Sequence, residues 1–183
     1  AIICVVEHRF FVFAMTYSVM LVHELSHFFA ARLIGLEAER ICLYPFGVNL
    51  KLKNKMIHSL SDECILYLAG PLANGVMALI FLGIYSFKRV DSIRFLYISN
   101  TMLMIVNLLP ILPLDGGVLL KKVISYIWGY KPAVLVMRIV SGVLISVLLT
   151  VFIYGVILTE YNFSVLILCV FLIGNLFIQE EKY

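Results

Sequence analysis

Long uncharged stretches alternate with short charged ones along this chain. No Asp, Glu, Lys or Arg separates Phe10 from Val22, and the run 10–33 predicts the first complete transmembrane helix, with residues 1–6 as the tail of an earlier span. Residues 65–87 form a second uncharged run, closed by Lys88, Arg89, Asp91 and Arg94. A third run, 95–114, is broken by Pro110 and Pro113 and leads into Asp115-Gly116-Gly117. Residues 139–159 and 161–179 supply two more spans, separated by Glu160. Between the first two complete spans, Val48-Asn49-Leu50-Lys51-Leu52-Lys53 alternates apolar and polar, the period of a half-buried strand. Pro45 and Gly47 just upstream point to a bent hairpin or an edge strand. The pattern predicts an all-α polytopic membrane protein. It has five to six transmembrane helices and a short membrane-associated β-strand or hairpin between the first and second complete spans.

Composition agrees. The 183 residues are 63% hydrophobic and 14% charged, against roughly 45–50% apolar and 25% charged in a soluble domain. The net charge of +3 is small and its basic residues lie in loops, which fits a lipid bilayer and not nucleic acid. Ten Lys and Arg fall on the side that holds the 36–61 loop, the 121–138 loop and the C-terminus, and four fall opposite: Arg9, Lys88, Arg89 and Arg94. Basic residues mark the cytoplasmic side, so the first group is expected there. Cys4, Cys42, Cys64 and Cys169 show no paired spacing and read as free thiols.

The chemistry sits where the hydrophobic pattern is violated. His23-Glu24-Leu25-Ser26-His27 places three ionisable groups in five residues at the end of an apolar run, and such groups are costly at membrane depth. Positions i and i+4 share a helix face, so His23 and His27 can bind one metal ion. Glu24, beside that ion, can act as a general base. A catalytic zinc usually takes three protein ligands and leaves a position for water. Apart from Glu24, the acid within an uncharged, membrane-depth segment is Asp115, and a carboxylate there needs a metal or a paired charge. The plainer reading makes Asp115 the N-cap of a helix over 116–125. Asn107 is either a hydrogen-bond donor to an oxyanion or substrate carbonyl, or a buried amide bonding a neighbouring helix. Asn74, the other candidate for such a contact, reads first as a helix-packing residue beside Gly70 and Gly75. Pro71 is expected to kink its helix near the site. His8 and His58 read as solvated.

Three motifs in order resemble the signatures of the site-2 proteases: His23-Glu24-Leu25-Ser26-His27, then Ala69-Gly70-Pro71-Leu72-Ala73-Asn74, then the stretch from Asn107 through Pro110 and Pro113 to Asp115-Gly116-Gly117. Tyr44-Pro45-Phe46-Gly47 before the short strand is similar to the bacterial sporulation branch. The resemblance implies an intramembrane zinc metalloprotease in a bacterial cell membrane, with one Zn²⁺ held by His23, His27 and Asp115 and with Glu24 as acid/base. It implies cleavage in or near the membrane segment of a membrane-associated protein, such as a pro-sigma factor or another regulator. The strand Val48, Asn49, Leu50, Lys51 and Leu52 is a candidate for holding that substrate extended, by β-augmentation. On this reading residues 1–183 form a single transmembrane protease domain. It carries no PDZ domain and lacks the cytoplasmic regulatory domain of the sporulation branch, as a truncated chain would. A zinc transporter or metal-sensing membrane protein is the alternative, since it too uses intramembrane His and Asp. A catalytically dead scaffold is a third reading, disfavoured by the intact motif set.

Overall fold

In a computed structural model of the chain, residues 2–36, 38–44, 47–52 and 59–158 are described. The expected span 161–179, Lys53, His58 and the C-terminus lie outside them. The chain divides into two compact units, Ala1–Asn107 and Leu108–Tyr183.

The first unit opens with helix α1, Ile2–Leu33. No Gly or Pro interrupts these 32 residues, and at 1.5 Å per residue the helix is about 48 Å long. Glu7, His8 and Arg9 occupy under one turn and do not break it. Residues 2–6 are therefore part of α1, not the tail of a separate span. The helix ends in a Schellman motif. Gly35 takes φ +77°, Leu36 N–H donates to the Ala31 carbonyl at 2.8 Å, and Gly35 N–H donates to that of Arg32 at 3.2 Å. Leu36 packs back on buried Ala30 and Ala31, the apolar contact that accompanies this cap.

Strands β1 (Ala38–Tyr44) and β2 (Gly47–Leu52) follow and pair antiparallel. Ile41 stands opposite Leu50 and Cys42 opposite Asn49, with an irregularity between Ala38 and Arg40. Both strands contact α1.

Helix α2, Leu60–Phe87, starts at Ser59, whose hydroxyl accepts the Asp62 N–H at 3.1 Å. Asp62 and Glu63 in its first turn oppose the positive end of the helix dipole. Leu66 of α2 packs against Ala30 and Ala31 of α1, small residues that bring the two backbones close. Helix α3, Asp91–Leu108, completes the unit.

In the second unit, residues 109–114 are non-helical, and prolines 110 and 113 account for that. Non-helical backbone that is buried has to find its hydrogen-bond partners inside the protein. Here the Ser141 hydroxyl accepts the Leu112 N–H at 3.0 Å, and both Leu112 and Ser141 are buried. Helix α4, Asp115–Trp128, follows. Gly129, at φ +90°, turns the chain into helix α5, Tyr130–Leu158. Leu112, Ile124, Ala133 and Met137 form one buried cluster between α4 and α5, and Ile111 and Ile145 form another. The hydrophobic pattern starts the last described span at residue 139, but α5 begins at Tyr130. Lys131 and Arg138 hide its first turns from a hydropathy reading without opposing the helix.

Helix α2 and Tyr130–Val151 of α5 are long and apolar enough to cross a membrane. Their outward faces carry large exposed apolar side chains, including Leu72, Leu79, Leu135 and Val151, an area that suits lipid better than water. Hydroxyls within the apolar helices return to their own backbone: Thr101 bonds the Tyr97 carbonyl at 2.9 Å and Ser146 that of Gly142 at 2.8 Å.

Candidate metal centre

His23 and His27 lie one turn apart on α1, both buried, with relative exposures of 5% and 8%. Their Nε2 atoms are 3.2 Å apart. The Nδ1 of His27 lies 2.7 Å from the main-chain carbonyl of Leu66 on α2. A carbonyl can only accept, so this Nδ1 carries a proton, and in the neutral ring Nε2 presents a lone pair. The Nδ1 of His23 lies 2.6 Å from Oδ1 of Asn74, also on α2, which gives the same tautomer. Two lone pairs thus face one another at 3.2 Å. A cation between them removes the repulsion, and zinc fits the spacing. Two imidazoles on a tetrahedral ion, each at about 2.0–2.1 Å, stand roughly 3.3 Å apart.

Gly70 keeps that space open. A Cβ there would stand 2.8 Å from His23 Nε2 and closer still to His27 Nε2. Glycine at this point of α2 leaves a small cradle in front of both ligand atoms. Pro71 follows it inside α2, fully buried. It lacks an N–H and crowds the carbonyl four residues back, that of Tyr67, one residue on from the Leu66 carbonyl that meets His27.

Asn74 is fully buried, and its Nδ2 donates to Oδ1 of Asn100 on α3 at 2.9 Å. Its amide therefore orients a histidine, a more specific role than helix packing. Ser26, the remaining polar residue of the motif, bonds its hydroxyl to the Val22 carbonyl at 2.7 Å within α1. Glu24 is half-buried, one residue on from His23.

The other sequence candidates are placed as follows. Asn107 is half-buried near the end of α3, and its amide donates to the Leu103 carbonyl at 3.0 Å. Asp115, in the second unit, is the first residue of α4 and half-buried. The N-cap position belongs to Leu114, which makes no side-chain capping bond. The helix therefore starts one residue earlier than a capping Asp115 would place it. The glycines after it permit close approach of backbone. A Cβ on Gly116 would stand 2.9 Å from the Leu109 carbonyl oxygen, and one on Gly117 would stand 2.8 Å from the Leu112 nitrogen. Residues Val48 to Leu52 lie in β2.

The model of peptidase family M50 matches residues 10–93 and 88–151, which hold both histidines, Asn74, Asn107 and Asp115. The chain belongs to peptidase family M50. Two curated relatives resemble it. A zinc metalloprotease of Methanocaldococcus jannaschii is 29% identical over 123 residues, 64% of this chain and 35% of the relative. Stage IV sporulation protein FB of Bacillus subtilis is 32% identical over 109 residues, 58% of this chain and 38% of the relative. The chain thus spans little more than a third of the length of these relatives. Its fold is similar to that of a site-2 protease from Methanocaldococcus jannaschii, with a TM-score of 0.67 at 23% identity, over 89% of this chain and 74% of that one.

The i, i+4 spacing of His23 and His27 led directly to the histidine pair. Asn100, the Leu66 carbonyl and the open space at Gly70 are features that motif reading missed. For Asn100 a signal was present: an amide inside an uncharged stretch needs a partner.

Proposed function

We propose that this chain is the catalytic membrane domain of an intramembrane zinc metalloendopeptidase. The observation that carries the reading is the histidine pair itself: two buried imidazoles, each held as the Nδ1–H tautomer, bring their Nε2 atoms together at a point that a side chain on residue 70 would crowd. Family membership favours hydrolysis over metal transport, and a transporter has no need of a glutamate directly after its first ligand.

In this proposal His23, His27 and Asp115 hold one zinc ion per chain. Asp115 is favoured because a catalytic site needs a third protein ligand, and no other acid except Glu24 lies within the uncharged segments. When bound, zinc lowers the pKa of its water to roughly 7 and polarises the scissile carbonyl. Glu24 takes the proton of the attacking water and delivers it to the leaving amine. The Asn107 amide carries two N–H donors, one of them used on the Leu103 carbonyl; in this proposal the other donates to the developing oxyanion.

The substrate is a membrane-associated protein cut in or near its membrane segment, in the manner of a pro-sigma factor or another membrane-tethered regulator. A helical substrate hides its peptide bonds, so it must be presented extended. Strand β2, residues Val48 to Leu52, offers an edge for β-augmentation. The chain crosses a bacterial cell membrane with five complete spans, and its 36–61 loop and C-terminus are cytoplasmic.

The test is reconstitution. Purified protein in vesicles with a membrane-tethered substrate should cleave it, and a zinc chelator should stop cleavage until zinc is restored. Chelator-resistant cleavage, or zinc flux across the vesicle without any cleavage, would defeat the reading.

A further inference from the structure

The tautomer of His23 is decided two residues away. The amide of Asn100 donates from Nδ2 to the main-chain carbonyl of Leu96 at 2.8 Å. A carbonyl has no proton to give, so Nδ2 must face it and Oδ1 must face the other way. That Oδ1 meets Asn74 Nδ2 at 2.9 Å, which turns Asn74 Oδ1 toward His23 Nδ1 at 2.6 Å. Each link leaves the next a single orientation, and the chain of bonds is anchored at an atom that cannot reverse. Asn74 and Asn100 are 0% and 1% exposed, so no bulk water offers either amide another partner. Gly75, beside Asn74 on α2, leaves room for the Met104 side chain of α3: a Cβ there would stand 2.9 Å from its Sδ.

We infer that Asn100 is a positioning residue for the metal centre. By locking Asn74, it holds the proton of His23 on Nδ1 and keeps Nε2 open to a metal ion. Without Asn100, Asn74 can turn its amide over and present Nδ2 to His23. The ring then accepts at Nδ1 and carries its proton on Nε2, where it blocks coordination. The consequence for zinc rests on the proposed function above, but the tautomer itself does not. His27 supplies an internal reference, because its Nδ1 is held by the Leu66 main chain.

The experiment uses the full chain in detergent, metal-stripped, at mildly alkaline pH. It carries ¹⁵N-labelled histidine and His8→Gln and His58→Gln to leave two rings. Ring-nitrogen shifts report which nitrogen bears hydrogen, and competition against a chromogenic chelator reports zinc affinity. Both rings should be Nδ1–H in the parent. In Asn100→Leu, His23 should move toward Nε2–H while His27 stays, and zinc should bind about 10–100-fold more weakly, the usual effect of losing a ligand's supporting partner. Asn100→Asp keeps an acceptor facing Asn74, so the tautomer and most of the affinity should return. A tautomer shift with no zinc bound by any variant would uphold the relay and sink the zinc reading. Unchanged His23 signals in a folded Asn100→Leu would overturn the inference, and so would an Nε2–H His23 in the parent or in Asn100→Asp, whether or not zinc binds.

Discussion

Gly70 faces His23 across a gap too small for any side chain: a Cβ would stand 2.8 Å from Nε2. By helix propensity alone, Gly70→Ala gains stability, about 1 kcal/mol in an interior position. By the geometry it fills the space in front of both ligand atoms. Gly70→Ala is therefore expected to keep its helicity and thermal midpoint while zinc affinity falls tenfold or more, about 1.4 kcal/mol. Metal analysis beside circular dichroism reads both. Full zinc occupancy in a folded Gly70→Ala would show that the ion lies elsewhere.

Glu24→Gln separates acid/base chemistry from binding. Glutamine keeps the size and most hydrogen bonding but cannot take a proton from water. Zinc should stay bound and cleavage should fall at least 10²–10⁴-fold. His23→Ala should lose both. Paired metal stoichiometry and gel cleavage assays decide, and near-normal cleavage by Glu24→Gln removes it from the mechanism.

Asp115→Asn tests the third ligand. The amide is isosteric and neutral, and its oxygen is a poorer ligand for zinc than a carboxylate. Zinc should be lost or at least tenfold weaker, whereas Asn107→Ala should keep zinc and slow cleavage by about 10²–10³-fold if its amide serves the oxyanion. Unaltered zinc binding in Asp115→Asn would send the search to another acid.

Strand β2 invites a proline scan. Successive N–H groups on a strand point to opposite sides, so Leu50→Pro and Lys51→Pro remove one N–H facing β1 and one facing outward. The outward one should reduce cleavage without changing zinc content, because proline cannot donate to an added strand. Full activity in both variants means the substrate docks elsewhere.

Ser141→Ala leaves the Leu112 N–H buried and without its acceptor. A loss of about 1–3 kcal/mol is expected, read as a lower midpoint in denaturant unfolding of the detergent-solubilised protein. An unchanged midpoint would show that another acceptor takes over.

The sequence disclosed what depends on short range. His23 and His27 are four residues apart, and helix periodicity alone puts them on one face. The break at Pro110 and Pro113 announced the irregular segment 109–114 for the same reason, since proline acts on its immediate neighbours. The start of α5 at Tyr130 was hidden because hydropathy marks where a helix meets lipid, not where it begins, and Lys131 and Arg138 belong to the helix all the same. For Asn100 the amide itself stood out in an uncharged stretch, but what it bonds to did not. Its partner Asn74 is 26 residues away, and His23 a further 51 from Asn74. Their meeting depends on how closely α2 and α3 pack, which no local pattern encodes.

The two imidazoles differ in their exposure to genetic change. His27 is held by the main chain of Leu66, and substitutions at that codon alter a side chain but leave a carbonyl behind. His23 hangs on two side chains in series, either of which a single nucleotide change can remove. Mutations that tune metal affinity without touching a ligand should therefore accumulate on the Asn74 and Asn100 arm, leaving the other arm silent.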